Sequence, residues 1–275
     1  MSVFTSAPLE RTPVTGTAGG SKGNNLVSQT RTAPRTVGDF MSELQATRDA
    51  QWPPEQLRAH AERRHLLVTQ ADPARFVAVG DVVAPFALPT AGGGTTRLAD
   101  LLTRGPAVLL FFRFESCPAC NTALRAYQAT LAPALRKLGA TLAAISPQVS
   151  TLLSRVQERH GLDFVVASDP GHALIDRFGI GFAPTPTERE ASRQQGIDLG
   201  EILGTGEWVL PYPTAVVIDQ NRTVRFADVQ PNWMVRAESA DILAAVRGLR
   251  AEGPSITTPR TTPLADQASA ATEGR

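Results

Sequence analysis

The sequence predicts an α/β layered fold, a central sheet flanked by helices, on three observations. The run Ala107–Phe112 is apolar without polar alternation, as a strand buried on both faces requires. Strand-like and amphipathic stretches then alternate with short connections, the pattern of a sheet with helices against it. The last two apolar runs, Thr214–Ile218 and Thr223–Val229, are joined by Asp219-Gln220-Asn221-Arg222 and read as an antiparallel hairpin, so the sheet is mixed.

Taken in order, residues 1–36 are Ser, Thr, Gly and Pro with scattered bases, and they bury too little apolar surface to order. Residues 37–75 are expected to form a helical extension. One helix runs through Phe40 and Leu44, and a second starts at Trp52-Pro53-Pro54, where proline suits the first turn. Leu57, Leu66 and Leu67 give the second helix a docking face around a strongly polar middle. The main domain spans 76–251. Val82–Leu88 reads as extended, Gly92-Gly93-Gly94 as a turn, and Leu98–Leu102 as a short helix. After the strand Ala107–Phe112, Leu124, Tyr127, Leu131, Leu135 and Leu138 recur at steps of three and four. Pro133 falls inside that helix and should kink it, and Gly139 ends it. Strand Thr141–Ile145, helix Thr151–His160, strand Phe164–Ala167 and helix His172–Phe178 follow. A polar insertion, residues 184–209, precedes the hairpin, and a last helix runs from Glu238 to Leu249. Residues 252–275 form a second Thr/Pro/Ala tail, expected to be disordered.

A formal net charge of +1 gives no electrostatic case for nucleic acid or an acidic membrane. No stretch approaches the roughly 18 apolar residues of a bilayer span, and the first residues lack the apolar core of a secretory signal. Two cysteines are too few for a secreted disulfide scaffold, which points to a reducing, cytoplasmic setting. Gly16–Gly23 lacks the Gly-Lys-Ser/Thr and the preceding strand of a phosphate loop. His160 and His172 stand at a helix end and a helix start, as surface or capping residues do. Trp208 and Trp233 read as packing residues and Trp52 as an anchor for the extension.

The two cysteines stand together in Phe114-Glu115-Ser116-Cys117-Pro118-Ala119-Cys120, at the mouth of the amphipathic helix. Cys117 takes the N-cap and Pro118 the first helical position, where a missing N–H is harmless. The free N–H groups of the first turn favour a Cys117 thiolate, so Cys117 is the expected exposed attacking thiol. Cys120 shares a stripe with Leu124 and is the expected buried resolving thiol. Arg113 would favour the anion, whereas Glu115 would oppose it if turned inward. Zinc is the main competing reading of C-x-x-C, but there is no second such pair, and His60 and His65 have the wrong spacing. Two inert core cysteines would have no reason to choose this junction.

From Val82 to Leu249 the chain resembles the AhpC/TSA superfamily, in particular its peroxiredoxin-like group with a C-P-x-C motif. The features that carry the resemblance appear in order. They are Val79-Gly80-Asp81 with Pro85-Phe86-Ala87-Leu88-Pro89, then Arg113 with Cys117-Pro118-Ala119-Cys120-Asn121, then Ile145-Ser146-Pro147-Gln148. Ser168-Asp169-Pro170-Gly171, Phe178-Gly179-Ile180 and Leu210-Pro211-Tyr212-Pro213-Thr214 follow. The two N-terminal helices resemble an extension common in this group. The resemblance implies a thioredoxin-like fold with Pro213 as a cis-proline across from the redox helix, presenting the Tyr212 backbone beside Cys117. The chain also departs from the family. Typical peroxiredoxins carry Pro and Thr seven and three residues before the first cysteine, where Leu110 and Phe114 stand here. They also carry a later arginine near the strand after the cis-proline, where this chain has Pro213-Thr214, and thioredoxins have Trp in place of Ser116. A peroxidase would therefore use Arg113, the hydroxyls of Ser116 or Thr214, and helix N–H groups.

The expected function is a thiol peroxidase that reduces a hydroperoxide through a Cys117 sulfenic acid, resolved by Cys120 and recycled by thioredoxin or a similar dithiol. It needs no cofactor and no metal, binds neither nucleic acid nor membrane, and is compatible with a homodimer. Two alternatives stand beside it: an oxidoreductase acting on protein disulfides, and a non-catalytic interaction module of the same fold.

Overall fold

The structure, a computed structural model, describes residues 35–251 except 195 and 197, so the expected tails lie outside the described residues apart from Arg35 and Thr36. Thr36 belongs to the first helix instead of a tail. Its hydroxyl accepts from Asp39 N at the head of α1 (Val37–Gln51), and the Asp39 carboxylate accepts from Thr36 N in return. Glu238 reaches across to the same end, accepting from Val37 N at 2.8 Å and Gly38 N at 2.7 Å. Trp52 ends α1, and α2 (Pro54–Gln70) begins on a proline, as its sequence predicts.

A small hairpin, β1 (Ala87–Pro89) with β2 (Thr95–Arg97), turns through the three glycines and leads into α3 (Leu98–Leu101). Then comes β3 (Ala107–Phe111), with every residue buried, and α4 (Pro118–Thr130). Pro133 does more than kink this helix. It has no N–H for the carbonyl four residues back, and the chain breaks at Leu131 and restarts as α5 (Ala132–Lys137). The following elements are β4 (Thr141–Ser146), α6 (Ser150–His160), β5 (Val165–Ser168) and α7 (Ala173–Arg177). His172, in the left-handed region before α7, pairs with Asp176 and Glu207.

The polar insertion folds into α8 (Pro186–Gln194) and α9 (Leu199–Leu203). It lies between two short paired strands, β6 (Gly181–Phe182) and β7 (Leu210–Pro211). The expected hairpin is β8 (Thr214–Ile218) with β9 (Val224–Val229). Its turn is held by Asp219, whose carboxylate accepts from Asn221 N and Thr223 N. The last helix is α10 (Ser239–Ala251).

The main sheet has the order β5-β4-β3-β8-β9 and is mixed: β3, β4 and β5 run parallel, β8 and β9 antiparallel to their neighbours. The period of two along β3 splits its side chains between two cores. Val108 and Leu110 join Leu142, Ala144 and the inner face of α4 on one side. Ala107, Leu109 and Phe111 join Ala143, Ile145, Leu174 and Phe178 on the other. Trp208 is buried in the first core, as its packing role predicts. The register that sets Phe111 opposite both Ile145 and Thr214 brings the end of β3, and the cysteine loop after it, to the start of β8. Among the described residues no helix is long and apolar enough to cross a membrane.

Candidate active site

Past β3 the chain leaves the sheet through Arg113–Ser116, and side chains from other elements hold that loop. Ser146 Oγ donates to Arg113 O at 2.8 Å, and Gln148 Oε1 accepts from Glu115 N at 2.7 Å. Asn121 Nδ2 donates to Glu115 O at 2.8 Å, while Asn121 Oδ1 lies 3.0 Å from His160 Nε2. Cys117 then takes the N-cap of α4, with Pro118 in the first turn, as its sequence predicts.

Both cysteines are free thiols and both are 1 % exposed, which corrects the expectation that Cys117 is exposed. Phe114 before the pair is buried too, and the whole junction joins the core cluster on the α4 side of the sheet. Cys117 Sγ accepts from Arg113 Nη2 at 3.1 Å and from Cys120 N at 3.3 Å. Burial alone would push the Cys117 thiol up. Hydrogen bonds from Cys120 and the charge and hydrogen bond of Arg113 outweigh it and hold Cys117 well below the usual thiol range. Burial and the neighbouring Cys117 push Cys120 well above that range. Of the two thiols, Cys117 is thus the one that ionises first and Cys120 the one that holds its proton. Burial disfavours the Arg113 charge, but the thiolate restores it and more, so that guanidinium stays protonated. Glu115 does not oppose the anion from within the site, because its carboxylate is turned to an ion pair with Arg159.

The other predicted site residues are spread around this pair. Ser116 is exposed in the turn before Cys117. Pro213 and Thr214 line a cavity of about 20 Å³ with Cys120, Tyr127 and Arg236, roughly the room one water needs. The bond before Pro213 is trans, since the described residues contain no cis peptide, and this corrects the expected cis-proline. The chain runs extended from β7 into β8 across it. Tyr212 N donates to Ile180 O at 2.8 Å and Tyr212 O accepts from Thr214 Oγ1 at 2.9 Å, so both groups are engaged within the chain instead of waiting for a bound peptide. The Tyr212 ring stacks on Phe182 at 5.0 Å.

Sequence reasoning missed a run of aromatic and basic groups that leads from Arg113 through Trp233 to the two N-terminal helices. The Arg113 guanidinium lies 5.1 Å from the Trp233 ring, and the His60 ring lies 5.9 Å from Trp233 and 4.7 Å from Trp52. Arg48 lies over Trp52 at 4.8 Å and Arg64 over Trp233 at 6.0 Å. Burial, together with Arg48, Arg64 and Arg113, lowers His60 to about 4, so the imidazole is neutral near pH 7. The available signal was the polar middle of α2, unusual for a helix docked on a core.

A model of the AhpC/TSA family matches residues 79–227, which hold both cysteines and Arg113. The chain belongs to the AhpC/TSA family. Relatives in this family include Peroxiredoxin Bcp of Escherichia coli (strain K12), 29% identical over 102 residues. That match takes in 37% of this chain and 64% of the relative, less than two thirds of its length. A putative peroxiredoxin of Mycobacterium tuberculosis, MT1643, is 26% identical over 171 residues, 62% of this chain and 97% of the relative. The solved structure of Peroxidoxin BcpB from Mycobacterium tuberculosis covers 62% of this chain and 97% of its own at 23% identity, with a TM-score of 0.50. It shows the thioredoxin-like AhpC/TSA fold. Arg48, His60, Arg64 and Trp233 all lie outside the segment that the AhpC/TSA model matches.

Proposed function

We propose that this chain is a thiol-dependent peroxidase in which Cys117 attacks and Cys120 resolves. The observation that carries the reading is the Cys117 sulfur held between Arg113 Nη2 at 3.1 Å and Cys120 N at 3.3 Å, with a protonated thiol beside it. The Cys117 thiolate attacks the outer oxygen of a hydroperoxide. A sulfur–oxygen bond forms, the O–O bond breaks, and the departing alkoxide takes a proton and leaves as alcohol, or as water from hydrogen peroxide. The sulfur is oxidised to a sulfenic acid, and the oxygen is reduced. Arg113, already aimed at the sulfur, faces the oxygen where negative charge develops. The Cys120 sulfur then displaces the sulfenic oxygen as water and closes the disulfide. An external dithiol of the thioredoxin type restores both thiols by exchange.

Burial of both thiols supports a small oxidant over a protein disulfide, which would have to reach a sulfur that is 1 % exposed. The internal engagement of Tyr212 points the same way. In this reading residues 76–251 are the catalytic domain, residues 37–75 are an extension that covers it, and the setting is a reducing cytoplasm. The test is peroxide consumption by the full chain with thioredoxin and its reductase, using hydrogen peroxide and an organic hydroperoxide in parallel. Turnover that disappears in Cys117→Ser supports the reading. Turnover that survives that change removes Cys117 from the attacking role.

A further inference from the structure

Arg113 is a half-buried cation, and among the described residues no carboxylate forms an ion pair with it. Its Nε is buried without a hydrogen-bond partner, and Nη2 donates to the Cys117 sulfur at 3.1 Å. One hydrogen bond to a sulfur fixes a single end of the guanidinium. The plane of the group and the long side chain behind it keep rotamer freedom unless something else holds them.

The contacts that remain are aromatic. The guanidinium carbon lies 5.1 Å from the centre of the Trp233 ring and 5.7 Å from that of Phe114, both within reach of cation–π attraction. Phe114 is the next residue of the same loop and moves with it. Trp233 comes from a distant part of the chain, the turn between β9 and α10, and that turn is fixed independently. Asn232 Oδ1 accepts from Met234 N at 3.1 Å, and Asn232 O accepts from Val235 N at 2.9 Å. Arg236 Nη1 donates to Trp233 O and, at 2.7 Å, to Val235 O. Trp233 itself is buried in the core cluster that holds Cys117. Its other neighbours are the His60 ring, nearly perpendicular at 5.9 Å, and the Arg64 guanidinium at 6.0 Å. Arg113 is the nearer of the two guanidinium groups and the one bonded to the thiol. Tryptophan is also the ring that attracts a cation best.

We infer that Trp233 is a positioning residue whose ring holds the Arg113 guanidinium against the Cys117 sulfur. A side chain outside the family-matched segment then completes the thiol site. This inference rests on the reading of Cys117 as the attacking thiolate. Its test uses no peroxide, so its failure and the failure of the peroxidase reading are separate results.

The test is the ultraviolet thiolate titration of the reduced full chain for Trp233→Phe and Trp233→Leu, each made in the parent and in Arg113→Met. Phenylalanine keeps a weaker ring face, and leucine keeps apolar bulk alone. The expected result is a first thiol midpoint raised by about half to one pH unit in Trp233→Leu and by less in Trp233→Phe. In Arg113→Met no cation is left to hold, so neither change should move the midpoint further. Equal shifts in the two variants, no shift in either, or the same shift with and without Arg113 would overturn the inference. A second measurement keeps Trp233 and does not depend on how well the leucine variant folds. The chain has three tryptophans, so fluorotryptophan labelling gives three fluorine resonances, assigned with Trp52→Phe and Trp208→Phe. Arg113→Met should shift the Trp233 resonance and leave that of Trp208 in place. An unmoved Trp233 resonance also overturns the inference.

Discussion

Arg113 Nη2 stands 3.1 Å from Cys117 Sγ, and that one contact joins a half-buried cation to a buried sulfur. Arg113 Nε is buried with no hydrogen-bond partner, so the guanidinium is committed to the sulfur through its other end. The loop that carries it is fixed by Ser146 and Gln148 from the end of the neighbouring strand and the loop beyond it. The pair is therefore in place before any substrate arrives.

Replacing that cation should release the proton-binding tendency of the buried thiol. Arg113→Met is expected to raise the Cys117 midpoint by about 1–3 pH units, the effect of losing an opposite charge at this range. Arg113→Lys should shift it less, because a point charge lacks the guanidinium fork. Ultraviolet thiolate titration checks both, and an unmoved midpoint in Arg113→Met would contradict the assignment.

The low Cys117 value also has a sign in pH–rate data. An ordinary thiol loses reactivity as pH falls through about 8.5. Cys117, held well below the usual range, should react with peroxide at a nearly constant rate from that pH through neutrality, and slow only in more acid solution. Stopped-flow rates across that range decide it. A tenfold loss per unit below about 8.5 would mean that the thiol is not pre-ionised.

Much of this was legible in the chain itself. Ala107–Phe112 could only be a doubly buried strand, and Cys117-Pro118 could only open a helix well, so the fold and the redox pair followed from local rules. Burial of Cys117 was not legible, because the core cluster that encloses it draws on residues far from it in sequence, Met41, Val217 and Trp233 among them. The trans bond before Pro213 depends on how Tyr212 is held by Ile180 and Thr214, which local sequence does not state. The first helix of the insertion was hidden by its polarity, since α8 has no buried residue to create an apolar stripe.

His60 gives a stability prediction. Its folded value is about 4 against an ordinary 6.5, so between those limits the unfolded chain binds the extra proton. Its contribution to stability is full above about pH 6.5 and falls as pH drops to about 4. After discounting for partial exposure, the loss is on the order of 1–2 kcal/mol. Denaturant unfolding at several pH values should show this slope, and His60→Gln should flatten it. An equal slope in both proteins would place the effect elsewhere.

Gly179 provides a test of the fold alone. Its φ is +66°, and a methyl group there would drive into the Arg75 carbonyl. Gly179→Ala is expected to destabilise the chain by at least about 1–2 kcal/mol, the strain of the left-handed region, with the clash added. Chemical denaturation measures this directly. A neutral result would mean that the approach of Arg75 to Gly179 is wrong.

The central claim is that peroxide oxygen is transferred to Cys117 and then removed by Cys120. Intact-mass spectrometry of Cys120→Ser after one equivalent of hydroperoxide tests it most directly. The account predicts a gain of one oxygen, mapped to Cys117 and trapped by a sulfenic-acid reagent, while the parent shows instead the loss of two hydrogens as its disulfide closes. An unmodified Cys117 in Cys120→Ser, with peroxide consumed at the rate of free cysteine, would contradict it.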